Sequence, residues 1–304
     1  MPSYLLAYFG SSLGSISSYA SSFLLVVYYF LSKEKHELLL PFILFGILYY
    51  TLSGLNYSGP DTEFFFKDFI RFMIVAVCAV DLLYKTNNKD IYLILLIGAL
   101  SIIINAVVFP LANANFYPTY GRFSGFYLNP NFAGSICLIG YALSYSMSNK
   151  WLRLSGQLIF TLAGILTFSR SFIVIWLLIN IFAIYHNRKN LIAPAIGALV
   201  LILLFAVSSF LTLNTARFSA LKSIFSEDQV QTKTIEEDSR TATWALYTDI
   251  IFDKPFFGNG YEFMQKKHFG LPGVHNSYLM VLGEAGILPF LVMIAIYSFL
   301  LIKN

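Results

Sequence analysis

The sequence predicts an all-α polytopic membrane protein, with about nine transmembrane helices and one long external loop. Three observations carry this expectation. Of 304 residues, 57% are hydrophobic and 12% charged, about half the charged share of a soluble domain. Mean hydropathy is +0.69. Apolar stretches of roughly 20 residues, the length that crosses about 30 Å of hydrocarbon as a helix, recur along the chain. The net charge of +4 comes from scattered residues with no basic run, which excludes a nucleic-acid binder. The hydropathy excludes a cytosolic enzyme and a secreted disulfide scaffold. Cys78 and Cys137 lie inside apolar segments and read as core packing rather than as a bridge or metal ligands.

In order, the candidate spans are 5–31, 38–54, 69–84, 91–112, 129–148, 152–168, 171–186, 191–213 and 276–302. The first has no basic n-region and runs past the usual apolar length of a signal peptide, so it is read as a span. Orientation follows from the Lys and Arg of the short loops. Lys33, Lys35, Lys85, Lys89, Lys150, Arg153, Arg188, Lys189 and Lys303 all follow odd-numbered spans, against Lys67, Arg71, Arg122 and Arg170 on the opposite side. The odd-numbered ends are therefore cytoplasmic, and the N-terminus and the long segment face outward. The expected organisation is eight helices over 1–213, an external loop over 214–275 and a last span within 276–304. Within the loop, residues 216–238 read as a mixed-charge surface stretch. From Ser239 a helix is expected, with Trp244, Tyr247, Ile250 and Ile251 on one face and Pro255 as its stop. It lies on the membrane surface or over the bundle. Phe256 to Gly260 is a Gly-Asn-Gly turn.

A charge at the bilayer centre costs about 2.5–3.5 kcal/mol on insertion scales, so the few polar groups at or near membrane depth need reasons. Arg170, in Ser169-Arg170-Ser171, is either a snorkelling anchor of a tight turn or a fixed cation at an outward cavity, where a guanidinium grips phosphate oxygens in pairs. Arg122 stands among glycines just before Asn129-Pro130-Asn131, which opens the fifth span; it is turn residue or ligand. Arg240 opposes the macrodipole at its helix start and so points at an anion or at a carboxylate such as Asp238. His275, followed by Asn276 at the mouth of the last span, carries the side chain that exchanges a proton near neutrality; a histidine at a helix start is also commonly inert. His36, His186 and His268 sit in solvated or basic surroundings. Glu284 is the carboxylate deep in the last span, where it pairs with an arginine or orients a polar network. Asp81 is expected to be solvated at a cytoplasmic helix end. No metalloprotease, nucleotide-binding or calcium-loop pattern occurs, so no metal and no cofactor are expected.

In this order, five pieces resemble the O-antigen ligase and Wzy-type polymerase family of bacterial envelope glycosyltransferases. They are Gly121 to Asn131 (GRFSGFYLNPN), Thr167 to Ser171 (TFSRS), Ser239 to Trp244 (SRTATW), Pro255 to Gly260 (PFFGNG) and His275 to Leu288 (HNSYLMVLGEAGIL). The resemblance covers about residues 120–290. It implies a GT-C-like membrane fold and a metal-independent, inverting transfer. The donor is a glycan on undecaprenyl diphosphate, and the acceptor is a sugar hydroxyl on another glycan or on lipid A core. The active site lies on the periplasmic face of the bacterial inner membrane. By position, Arg170 and Arg240, with Arg122 beside them, hold the diphosphate, and His275 assists the acceptor hydroxyl, with Asn276 and Glu284 in support. Ligase and polymerase use the same donor end and are not separated at this level. The chain departs from the family in being short, with one span after His275-Asn276. The rival reading is a transporter or flippase of lipid-linked glycan, which is expected to show repeat symmetry and matched broken helices in its two halves; neither is seen in the sequence.

Overall fold

The apolar runs fold as helices in a computed structural model, which describes residues 11–57, 62–109, 121–127, 129–207, 240–264, 274 and 276–303. Among these residues there are twelve α-helices and no strand. They are α1 (Ser11–Leu31), α2 (Leu40–Leu55), α3 (Thr62–Ile74), α4 (Val80–Lys85), α5 (Asn88–Val108) and α6 (Pro130–Ser144). After them come α7 (Lys150–Leu166), α8 (Arg170–His186), α9 (Ile192–Val207), α10 (Arg240–Asp253), α11 (Ser277–Ala285) and α12 (Ile287–Lys303).

Two elements differ from the sequence expectation. The third helix begins at Thr62 rather than at 69, because its charged first half pairs along the helix: Lys67 with Glu63 at 3.4 Å and Arg71 with Asp68 at 3.4 Å. It then widens through one π-turn, Val75–Ala79, and continues as α4. The last apolar run is broken at Gly286, whose φ of 84° and ψ of −171° separate α11 from α12. The helix starts are closed largely by amides. The side chains of Asn87, Asn129, Asn149 and Asn276 accept backbone N–H bonds from the first turns of α5, α6, α7 and α11, and Asn187 does so for a 3₁₀ turn at Arg188–Leu191.

The chain divides into two compact units, residues 1–21 with 86–230 and residues 22–85 with 231–304. In the first, α6 packs on α7, α5 packs on both, α8 packs mainly on α6, and α9 packs on α7. Tyr92, Tyr141, Phe160, Phe172 and Cys137 fill its core. Gly156 lets Tyr92 lie close enough for its hydroxyl to donate to Leu152 O at 2.7 Å; a Cβ at 156 would stand 1.6 Å from the Tyr92 hydroxyl oxygen. Buried amides are satisfied in place. Asn180 accepts from the Tyr141 hydroxyl at 2.8 Å and donates to Trp176 O at 2.7 Å.

In the second unit α2 packs on α3, α11 and α12, and α10 packs on α11. Asp81 is not solvated as expected: it is 2% exposed, and its carboxylate accepts from the His36 N–H and from Lys85 Nζ, both at 2.6 Å. A partner on each oxygen permits its burial.

Beside the apolar cores, several polar side chains are buried while many large apolar ones are exposed. Asn105, Gln157, Thr161, Asn180 and Glu284 are buried, whereas Ile97, Phe182 and Leu301 are 57%, 69% and 81% exposed. Among the described residues one helix, α5, is by itself long and apolar enough to cross a bilayer, with 21 residues at a mean hydropathy of 2.7. The segments Ile16–Leu31, Leu40–Leu55, Arg170–His186 and Ile287–Lys303 are apolar but shorter.

Candidate active site

In the first unit the segment 121–126 is clamped between α5 and the turn joining α7 to α8. The Phe123 N–H donates to Leu166 O at 3.2 Å. Arg122 is 3% exposed, with Nε donating to Thr167 O at 2.9 Å and Nη2 to Asn131 Oδ1 at 2.6 Å. From the other side Asn105 Oδ1 accepts the Gly125 N–H at 3.2 Å, and Ser101 Oγ accepts the Phe126 N–H at 2.9 Å. The turn itself is fixed. Thr167 Oγ1 donates to Gly164 O at 2.6 Å, Phe168 adopts a φ of 49°, and Ser169, buried, caps α8. Arg170 then opens α8 as its first residue and is exposed. A cation there is opposed by the helix dipole, and an anion at the same place relieves that opposition.

In the second unit the turn 255–264 seats on the break between α11 and α12. Ile287 N–H donates to Pro255 O at 2.8 Å, Asn259 N–H to Gly283 O at 2.8 Å and Gly260 N–H to Glu284 O at 3.1 Å. The Asn259 amide bridges two helices, donating to Ile250 O at 3.0 Å and to Gly283 O at 3.1 Å. Gly258, at a φ of 69°, has room for no side chain, since a Cβ would stand 2.3 Å from the Glu284 backbone. Glu284 is fully buried; one carboxylate oxygen accepts from the Tyr49 hydroxyl and the other from the Met264 N–H at 3.1 Å. Tyr261 donates its hydroxyl to Asp68 at 2.6 Å, and burial together with that carboxylate holds the phenol well above its ordinary pKa, so it remains a donor.

The residues around position 275 are tied down. Val274 N–H donates to Met264 O at 3.1 Å, and Val274 O accepts from the Trp244 indole at 3.0 Å. Asn276 caps α11, accepting from Tyr278 N–H at 2.9 Å and Leu279 N–H at 3.3 Å. Tyr247, Ile251, Met264 and Val274 form a small core beneath α10. The expected buried face of that helix is therefore the observed one, turned onto its own unit.

The structure sorts the predicted site residues as follows. Arg122 and Arg170 serve one turn in the first unit, the former bonded to Thr167 and the latter three residues further on. Arg240 is the first residue of α10 and stands one turn, about 6 Å along the axis, before Trp244. That places it on the helix tied to Val274. Asn276 is a helix cap, and Glu284 orients a polar network of Tyr49 and Met264 rather than pairing with an arginine. His275, Ser239 and His268 lie outside the described residues, as does the stretch 216–238. Sequence reasoning missed Tyr49, Asn259 and the tie from Trp244 to Val274. Of these only Trp244 gave a signal, since a buried indole N–H requires an acceptor.

Residues 156–294 match the family model described as O-antigen ligase. No curated protein and no solved structure matches the chain. The matched stretch contains Arg170, Arg240, His275, Asn276 and Glu284, while Arg122 precedes it. Proteins of this family are membrane proteins of the bacterial envelope, and the match supports glycosyl transfer of the O-antigen ligase or polymerase type. Over residues 156–294 the chain is thus similar to the O-antigen ligase family.

Proposed function

We propose that this chain is a multi-pass glycosyltransferase of the bacterial inner membrane that moves a glycan from undecaprenyl diphosphate to a sugar hydroxyl at the periplasmic face. The observation that carries the proposal is the family match over 156–294, which contains four of the five residues assigned a binding or supporting role and the assigned base. The many exposed large apolar side chains, with several polar ones buried, support the membrane reading; the count of about nine spans rests on the apolar runs of the sequence.

In this reading Arg170 and Arg240 take the donor diphosphate. A leaving diphosphate carries about two negative charges, and guanidiniums aimed at it stabilise that charge most where water is excluded, so no divalent cation is required. Arg122 has a different task from the one its position in the family pattern implies. With Nε and Nη2 engaged by Thr167 and Asn131, it holds the turn that presents Arg170. His275 accepts the proton of the attacking hydroxyl, a contribution of about 10²-fold to 10⁴-fold, and single displacement inverts the anomeric centre. The acceptor is a second glycan or lipid A core.

The test is complementation of a strain lacking its own ligase or polymerase, read on a glycan-length gel with the lipid-linked donor quantified. His275→Ala is expected to abolish product while donor accumulates. Normal glycan length from that variant overturns the assignment of the base.

A further inference from the structure

We infer that Glu284 is a positioning residue for this reaction, acting through a hydrogen-bond relay that fixes the chain beside His275. The inference rests on the proposed role of His275. The relay is continuous within one unit. Tyr49 Oη donates to one carboxylate oxygen of Glu284, and Met264 N–H donates to the other at 3.1 Å. Met264 O accepts the Val274 N–H at 3.1 Å, and Val274 O accepts the Trp244 indole at 3.0 Å. Glu284, Met264 and Val274 are 0%, 0% and 2% exposed, so water does not replace a broken member cheaply.

The relay joins three separate parts of the chain. Tyr49 comes from α2, Glu284 from α11, and Trp244 from α10, one turn after Arg240. The same carboxylate therefore sets the backbone on the N-terminal side of the base and the helix that carries an arginine. On the other side of position 275, Asn276 caps α11, the helix on which Glu284 itself stands. A base must sit within about 2.6–3.2 Å of the proton it takes, and a misplacement of about 1 Å can cost about 10²-fold. Nothing in the relay needs to touch substrate, and a carboxylate suits the place because it offers an acceptor oxygen to each of two donors.

Glu284→Gln separates acceptor geometry from charge. Its carbonyl oxygen still accepts the Met264 N–H, and the Tyr49 hydroxyl can turn to accept from its NH₂. Glu284→Leu keeps volume and removes both acceptors. The full chain in nanodiscs is assayed with lipid-linked glycan donor, beside His275→Ala. Glu284→Gln is expected within about 5-fold of the parent, whereas Glu284→Leu loses about 10²-fold in kcat with KM for donor within about 3-fold. If Glu284→Leu does not fold, Trp244→Phe carries the test, since it removes only the last bond of the relay; it is expected to lower kcat at least 5-fold with KM unchanged. Full activity in Glu284→Leu or, failing that variant, in Trp244→Phe overturns the relay, as does a Glu284→Gln as inactive as the leucine variant, or a loss confined to KM. Full activity in His275→Ala instead overturns the assignment of the base on which the relay depends, and the two failures are thereby distinguished.

Discussion

Arg122 and Arg170 serve the same turn, and their replacement by alanine is expected to fail in opposite ways. Arg122 is 3% exposed and spends two guanidinium N–H groups on Thr167 O at 2.9 Å and Asn131 Oδ1 at 2.6 Å. A hydrogen bond from a charged donor contributes about 1.5–3 kcal/mol, so two of them give about 3–6 kcal/mol for Arg122→Ala. At about 2–4 °C per kcal/mol for a folding unit of this size, the melting temperature falls on the order of 10 °C. Arg122→Lys keeps the charge and at most one of the two bonds, and loses roughly half as much. Arg170 is exposed at the first position of α8, where its charge opposes the helix dipole. Arg170→Ala therefore leaves the melting temperature within about 2 °C, while Arg170→Lys and Arg170→Ala both lose transfer activity, because a point charge does not grip two phosphate oxygens. The assay pairs thermal melting in nanodiscs, followed by intrinsic fluorescence, with transfer from lipid-linked donor. The reasoning fails if Arg122→Ala melts with the parent protein, or if Arg170→Ala loses activity only in proportion to folded protein.

Two further outcomes follow from the geometry. Gly286→Ala places a Cβ 2.1 Å from Phe256 O at a φ of 84°; backbone strain of about 1–3 kcal/mol plus the loss of the Ile287 bond to Pro255, about 1 kcal/mol, predict a destabilisation of about 2–4 kcal/mol by chemical denaturation. Gly283→Ala meets the flexible Met264 side chain at 2.7 Å instead and is expected to cost less, so equal losses in the two variants would contradict the strain argument. Addition of a chelator to the purified enzyme is expected to leave the transfer rate unchanged, and inhibition relieved by a divalent cation would contradict the assignment of diphosphate binding to arginines.

Much of the helical layout was legible because period and apolar length are local properties. A helix over 171–186 and the buried face of α10 are found where spacing puts them. What was not legible depends on contacts far apart in sequence. The run 276–302 is apolar over most of its length, and the seating of Phe256 against Gly286 accounts for its division into two helices. Glu284 stood out as a buried acid, but its partner Tyr49 lies 235 residues away in an ordinary-looking span. Thr62–Ile74 was too charged for the apolar criterion, which is blind to helices stabilised by paired surface charges. Arg122 shows the limit for sites: glycines around an arginine suit a turn and a ligand equally, and the distance to Thr167 O informs the choice.

The asparagine caps carry a consequence for acid and salt. An aspartate cap weakens when its carboxyl is protonated near pH 4 and when ions screen its attraction to the helix dipole; an amide has neither liability. The helix starts at Asn87, Asn129, Asn149 and Asn276 therefore respond little to the acidity or ionic strength of the surrounding fluid. If His275 is the base as proposed, the choice at 276 matters doubly, because Asn276→Asp would close the helix as well yet add a negative charge one residue from His275 and favour imidazolium, the form that has no lone pair left to take a proton.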